Sequence, residues 1–428
     1  MLTKEENELL CRVERDAPMG GIMRRHWLPV CMSEEVAEPD GTPVGARLLG
    51  EDLVVFRDTR GRLGVLREYC LHRRASLTFG RNEDCGLRCL YHGWKFDVEG
   101  NVVDMPSEPP GAAQRVRRKT TAYPACEAGG FVWAWMGPED AARALQPPAW
   151  APGPGIRHAI VKMRTECNWA QVLEGSIDSA HSSSLHSTNM PPAEVAGSTA
   201  TDSAWLRPSN DKAPRLELEA TSYGFRYAAI RDPIRNPETH QYVRTTFFIA
   251  PFTVLIPPND RYNLAQMLVP IDDVNTMFYW IAWHPDPAKG ITQEAWRRFC
   301  GAEVGVDLDE NYRKKQTLAN RYLQDRQAMK RGDWTGIRGI PAQDMAMWES
   351  MGAITDRSEE HFGSSDLAVA QFRRTMVAAA RKFQEGAPAI GTAEPGTVHT
   401  RLASFEGIVP KTVDWRTLGV HEDAPVGA

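Results

Sequence analysis

Residues 68–97 read EYCLHRRASLTFGRNEDCGLRCLYHGWKFD, with Cys70 and His72 in one short segment and Cys89 and His92 in another. Two thiolates and two imidazoles gathered this closely can hold a structural zinc, or a two-iron, two-sulfur centre in which histidines replace cysteines on one iron. Structural zinc sites commonly pair cysteine with cysteine in one knuckle and histidine with histidine in another. Here each segment offers one of each, the supply that thiolates on one iron and imidazoles on the other require. Cys85 competes with Cys89 as a ligand. The distance from Cys89 to His92 makes the compact turn, so Cys85 reads as a small hydrophobe.

Working outward, residues 41–136 alternate short β-rich runs such as DLVVFRD and GFVWAWMG with Gly, Asp and Asn turns, which predicts a small antiparallel β domain. QPPAWAPGPG, residues 146–155, is dense enough in Pro and Gly to end any element and marks a boundary. The expected division is an N-terminal helical segment over 1–40, a first domain over 41–145 and a second over 156–428. The second carries strand-like runs, RLELEATSYGFRYAAI, YVRTTFFIAPFTVLI and TMFYWIAWH, and a helix from about Ser365 to Phe383 with Phe372, Met376, Ala379 and Phe383 at helical spacing. The fold class is α+β, and 428 residues are too many for one ordinary core.

Composition narrows the function. Hydrophobic residues at 42% and charged residues at 25% describe a packed globular chain. A net charge of -5 offers no basic surface for nucleic acid, and no apolar run approaches the ~20 residues of a spanning helix. The amino terminus MLTKEENELLCRVERD is too charged for a signal peptide, which places the expected location in the cytoplasm. Thiols there stay reduced, so the 8 cysteines read as free or metal-bound.

A second ligand set follows in NWAQVLEGSIDSAHSSSLHS, residues 168–187, which contains Asp178, His181 and His186. Two imidazoles and one carboxylate form the facial triad of non-haem iron(II) enzymes, leaving the opposite face to dioxygen and substrate. On a regular helix, His186 would lie about 140° around the axis from His181, too far to share a metal. The helix is therefore expected to break, or to carry a π-bulge, in the run Ser182–Ser184. The plain alternative is an amphipathic helix with two surface histidines.

CLHR followed by CLYHGWKFD resembles the Rieske iron-sulfur motif, and its combination with the downstream triad resembles the oxygenase component of the Rieske non-haem iron aromatic-ring hydroxylases. Within these, NELL, PMGG, RRHWLPV, FGRNEDCGLRCLYHGWKFDVEGNVVDMPSEP and DRSEEHFGSSD are most similar to the phthalate dioxygenase branch. The resemblance implies a Rieske [2Fe-2S] domain joined to a helix-grip (START-like) catalytic domain with a large antiparallel sheet. It implies homotrimers, or hexamers stacked from them, in which Asp178 bridges His92 of the partner subunit to His181. A carboxylate between two imidazoles can accept both N–H groups and orient both ligands.

With Asp178 so engaged, the triad's carboxylate has to come from farther along. In GIPAQDMAMWES, Asp344 stands among apolar neighbours, where metal binding would offset the cost of burial, and the resemblance points to the same residue. Asp333, Glu349 and Asp356 are the fallbacks. For the substrate, Arg244 interrupts the apolar HQYVRTTFFIAPF, and Arg207 follows Trp205 and Leu206. Two guanidinium forks suit a benzene dicarboxylate. The resemblance supports these two positions as the carboxylate clamp, with Ser179 as an addition.

The reading is thus a terminal oxygenase that adds both atoms of O2 to an aromatic carboxylate, foremost phthalate. No dinucleotide fingerprint of the G-x-G-x-x-G kind is present, so NADH is expected to be oxidised on a separate flavin-containing, iron-sulfur reductase. Within the same chemistry the alternatives are isophthalate, a chlorobenzoate or phenoxybenzoate, or O-demethylation of a methoxybenzoate. Outside it they are a Rieske electron carrier and a zinc-binding interaction protein.

Overall fold

The short helix α1 (Lys4–Cys11) begins with a capping box, Thr3 accepting from the Glu6 amide while the Glu6 carboxylate accepts from the Thr3 amide. The computed structural model describes residues 2–115, 118–151, 155–193, 205–392 and 397–421. Part of the expected boundary stretch, residues 152–154, and the first residues of the segment before Arg207 lie outside these. The chain divides into two compact units: one is Val13–Leu145, and the other joins Met1–Arg12 to Gln146–Ala428.

The smaller unit contains α2 (Pro18–Met23), α3 (Ala112–Arg115) and ten strands: β1 (Trp27–Met32), β2 (Val44–Leu48), β3 (Glu51–Arg57), β4 (Leu63–Arg67), β5 (Arg81–Glu83), β6 (Gly86–Arg88), β7 (Lys95–Phe96), β8 (Val102–Asp104), β9 (Ala125–Ala128) and β10 (Phe131–Trp135). They pair antiparallel as β1-β10-β9, β2-β3-β4 and β5-β6-β7-β8. Val54, Phe56, Leu66, Leu77, Leu87 and Phe96 form a shared core that also takes in Cys70 and Cys89. Burying a side chain such as Leu or Phe contributes ~1.5–3 kcal/mol, so the loops carrying these cysteines rest on a stiff base.

The larger unit is built on strands β11 (Arg157–Thr165), β12 (Arg215–Thr221), β13 (Gly224–Arg231), β14 (His240–Ile249), β15 (Thr253–Ile256), β16 (Asn263–Pro270) and β17 (Thr276–His284), followed by β18 (Leu402–Ala403), β19 (Glu406–Pro410) and β20 (Val420–His421). The main sheet has 8 strands in the order β11-β17-β16-β15-β14-β13-β12, with β19 also beside β14, and every pairing is antiparallel. Besides α1, its helices are α4 (Trp169–Ile177), α5 (Gln293–Cys300), α6 (Arg326–Lys330), α7 (Ile340–Ser350) and α8 (Leu367–Gln384). Helix α4 packs on β15 and β16 and against α7 and α8. α8 starts and stops within two residues of the expected helix. Among the described residues, no helix is long and apolar enough to cross a membrane.

A buried ionic network holds α4 in place. Glu174 on α4 accepts from Arg357 at 2.8 and 3.1 Å and from Arg373 on α8 at 2.7 Å, while Arg357 also donates to Asn7 on α1 at 2.9 Å. Burial opposes ionisation of Glu174, but the two guanidiniums outweigh it and hold its carboxyl below the usual range. The helix that leads into the histidines is thereby tied to three other segments. Gly175 allows the approach of α4 to α7, since a Cβ there would come within 2.1 Å of the Trp348 indole nitrogen.

Candidate active site

In the smaller unit, the two loops of the opening motif fold alike. The Cys70 amide donates to Ala75 O at 2.9 Å and the Arg74 amide to Cys70 O at 2.9 Å; the Cys89 amide donates to Trp94 O at 2.8 Å and the Gly93 amide to Cys89 O at 3.0 Å. Each loop turns through a left-handed residue, Arg74 at φ 62° and Gly93 at φ 79°. Cys70 and Cys89 are buried and free. Burial, and after it the neighbouring Cys89 thiol, push the Cys70 thiol up to about 11. The His72 and His92 rings lie 4.4 Å apart, and His72 stacks on Trp94 at 4.8 Å. His72 Nδ1 is buried without a hydrogen-bond partner. A small cavity is lined by Cys70, His72, Cys89 and His92 together. Two adjacent buried thiols and an unsatisfied imidazole nitrogen around one cavity fit a [2Fe-2S] cluster. Cys85 lies elsewhere, in the turn between β5 and β6, with its amide on Thr59 Oγ1 at 2.8 Å.

In the larger unit, α4 is capped by Asn168, whose side chain accepts from the Ala170 amide. The helix ends at Ile177, so the expected break between His181 and His186 falls earlier, and no π-bulge is needed. Asp178 takes an extended conformation and its Oδ1 accepts from the amides of Ala180 at 2.8 Å and His181 at 3.3 Å. This side-chain turn competes with helix continuation. His181–Ser183 then forms a single 3-10 turn, and His186 follows it.

Helix α7 enters through Gly339 at φ 90°, with Pro341 in its first turn, and brings Asp344 to both histidines. Asp344 Oδ1 lies 3.0 Å from His186 Nε2 and 3.5 Å from His181 Nε2. One ligand atom from each of the three lies within 4.8 Å of the others. Asp344 Oδ1 is nevertheless buried without a hydrogen-bond partner. Two imidazole nitrogens and an unpartnered carboxylate oxygen converging on one point fit a divalent cation, and two imidazoles with one carboxylate suit iron(II). The fallback acids are engaged elsewhere. Asp333 caps the amides of Thr335 and Gly336, Glu349 pairs with Lys314 at 2.8 Å, and Asp356 accepts from Ser358.

The outer nitrogens of the two histidines meet different partners. His181 Nδ1 faces Asp178 Oδ2 at 3.5 Å, a long contact that leaves the nitrogen short of a full hydrogen bond. Burial resists charge on Asp178, yet His181 and two backbone amides keep its carboxyl below the usual range. His186 Nδ1 instead meets the neutral side chain of Gln343 at 2.8 Å.

A pocket opens over this group, lined by His181, His186, Asp344, Tyr227, Arg244 and Trp280 among others. Arg244 sits on β14 directly opposite Glu406 of β19 and donates to it from Nε at 3.1 Å. Burial disfavours its charge, but Glu406 more than restores it. Arg207 lies outside the strands, in an isolated bridge to Pro192, and is 6% exposed. Among the described residues, its guanidinium reaches only Ser183 Oγ at 3.1 Å and Met190 Sδ at 3.6 Å, and Nε has no partner. Burial, then the charge of Arg244, push it down to about 9. A third cation, Arg231 on β13, escaped sequence reasoning. It donates to Ser179 O at 2.8 Å and is pushed down to about 10 by burial and then by Arg244. Its period-2 spacing from Tyr227 was the available signal. Glu406 and Tyr242, hydrogen-bonded to each other, were missed as well.

Fold and site together define a Rieske non-haem iron oxygenase. A family model for the Rieske [2Fe-2S] domain matches residues 26–124, and one described as LigXa C-terminal domain like matches 134–425. The chain is 61% identical over 416 residues to the phthalate 4,5-dioxygenase oxygenase subunit of Pseudomonas putida, covering 97% of this chain and 94% of that one. It is 36% identical to the 3-chlorobenzoate-3,4-dioxygenase oxygenase subunit of Comamonas testosteroni, covering 97% and 98%. The solved structure of the NdmA QL mutant of Pseudomonas putida CBB5 with caffeine shares the fold, with a TM-score of 0.58 at 18% identity over 87% of this chain and 95% of that one. The chain belongs to the Rieske non-haem iron ring-hydroxylating oxygenases, in the branch of the phthalate dioxygenase oxygenase component. Its cofactors are a Rieske [2Fe-2S] cluster and a mononuclear iron.

Proposed function

We propose that the protein is the terminal oxygenase of a phthalate 4,5-dioxygenase system. Phthalate, O2, NADH and a proton give the cis-dihydrodiol and NAD⁺, with NADH oxidised on a separate reductase. The observation that carries the dicarboxylate reading is Arg207, a buried guanidinium with a hydroxyl and a thioether as its only hydrogen-bond acceptors among the described residues. A buried cation so poorly matched is costly unless an anion arrives to meet it.

In this reading the Rieske domain, expected over 41–145, also takes in β1, which pairs with β10, and the catalytic domain, expected over 156–428, also takes in Met1–Arg12, so the expected segment 1–40 is shared between the two. Cys70 and Cys89 hold one iron of the cluster, and His72 and His92 the other. His181, His186 and Asp344 hold the mononuclear iron, which supplies reductive activation of O2 when electrons reach it. The chain's own residues do the rest. Arg207 and Arg244 take the two carboxylates, and Arg231 steadies Ser179 beside them. Tyr227 and Trp280 shape the walls against which the ring lies. The ring carbons away from the carboxylates are thereby turned toward the open face of the triad. Asp178 accepts from His181 and from His92 of the partner subunit, which makes a homotrimer, or a stacked pair of trimers, the working assembly.

Arg207→Met removes the fork and keeps the apolar stem. Loss of a charge-assisted pair in a sheltered site is expected to weaken phthalate binding by ~2–4 kcal/mol. The ring would then sit loosely, so NADH consumption should outrun diol formation, since misplacement by ~1 Å can cost ~100-fold in rate. Arg207→Lys should recover little, because a point charge does not reproduce the planar fork. Steady-state kinetics with phthalate, isophthalate, 3-chlorobenzoate and a neutral aromatic check this. Unchanged KM and coupling for phthalate in both Arg207→Met and Arg244→Met would remove the dicarboxylate reading. Preference for 3-chlorobenzoate would favour a monocarboxylate site, for which Arg244 is already matched by Glu406.

A further inference from the structure

We propose that Gln343 is a positioning residue that fixes the tautomer and ring orientation of His186, an inference that rests on the reading of His186 as an iron ligand. His186 is 3% exposed and Gln343 2%. Gln343 Oε1 lies 2.8 Å from His186 Nδ1, while Gln343 Nε2 donates to Ile337 O and to Asn189 Oδ1, both at 2.9 Å. The backbone carbonyl of Ile337 can only accept, so the amide nitrogen has to face it. The amide oxygen is thereby turned toward the imidazole, and an oxygen there can only accept. His186 Nδ1 must then carry the proton. Its Nε2, 3.0 Å from Asp344 Oδ1, is left as a bare lone pair aimed at the triad's centre.

The origin of this arrangement is in the helix. Gln343 and Asp344 are consecutive on α7, and consecutive helical side chains diverge by about 100°. One therefore reaches the outer nitrogen of His186 and the next the inner side of the same ring. Asn189 closes the set from the His186 segment, its own amide donating to His186 O at 2.9 Å. The two iron histidines are thus held unequally, His181 by a carboxylate that also serves the proposed bridge and His186 by a neutral amide. His186 is given orientation without added negative charge.

The test uses the full chain with its cluster assembled, comparing Gln343→Leu and Gln343→Glu with the parent. Fe(II) and Co(II) affinities are measured by chelator competition, and the Co(II) ligand-field spectrum is recorded. Gln343→Leu removes the acceptor and is expected to weaken both metals by ~10–100-fold and to alter the Co(II) spectrum, with the Rieske visible absorption unchanged. Gln343→Glu keeps an acceptor oxygen facing His186 and, as the neutral acid, supplies an O–H to Ile337 O where the amide nitrogen stood, so it should hold affinity within a few-fold of the parent. Parental affinity in Gln343→Leu overturns the proposal. Equal loss in both variants overturns it too, by reducing Gln343 to packing. His186→Ala separates the premise from the inference: parental metal binding in that variant would show that His186 is no ligand, and the role of Gln343 would fall with it.

Discussion

Replacing Asp344 with alanine is expected to abolish diol formation while the Rieske centre keeps its visible absorption and its labile sulfide. The argument starts from the orphaned Oδ1, which lies 3.0 and 3.5 Å from two imidazole nitrogens without a hydrogen bond to either. A carboxylate so placed is worth keeping only for a cation. The variant should lose the mononuclear iron and retain the iron of the cluster, which elemental analysis beside sulfide determination would show. It should also unfold at no lower temperature than the parent stripped of mononuclear iron, because the substitution removes a buried charge with no partner. Asp333→Asn and Asp356→Asn are the controls, and both should turn over near the parental rate. Substantial product from Asp344→Ala would mean that the metal's carboxylate lies elsewhere.

The two proposed ligand sets differ in how far they are legible in the sequence. Cys70, His72, Cys89 and His92 belong to two tight turns, so their relation is local and survives in the spacing. His181 and His186 are local too, yet the helix ends at Ile177 and not at the serines, because Asp178 offers its own side chain to the amides that follow. That competition depends on a rotamer, which residue identity alone does not specify. Asp344 is farther still, and only its apolar neighbours and the family resemblance marked it. The arginine cluster shows the limit most plainly. Arg244 and Glu406 face each other because β19 joins the sheet beside β14, and no pattern within either segment indicates that register. Arg231 and Gln343 were overlooked for a related reason: their partners, Ser179 and His186, are supplied by loops from another part of the chain.

Asp178→Asn should separate electron delivery from everything else the site does. In the chain itself, Oδ1 accepts from the Ala180 and His181 amides and Oδ2 faces His181 Nδ1 at 3.5 Å. An asparagine can keep the first role with its oxygen, so the turn after α4 and the placement of His181 should survive. Its amide nitrogen then occupies the second position, where it meets an imidazole N–H as donor against donor. One oxygen also remains where the proposed bridge needs acceptors for two imidazoles, His181 and His92 of the partner subunit. Both metals should be retained, and the Rieske centre should still be reduced by the reductase. Product formation should nevertheless fall by ~100-fold or more, the upper range for loss of an outer-shell partner. Rapid mixing of the fully reduced variant with O2 and phthalate would resolve the step: reoxidation of the Rieske absorption should be slow, and diol formation slow with it. A variant that reoxidises its cluster and forms diol at parental rates would reduce Asp178 to the residue that closes a helix.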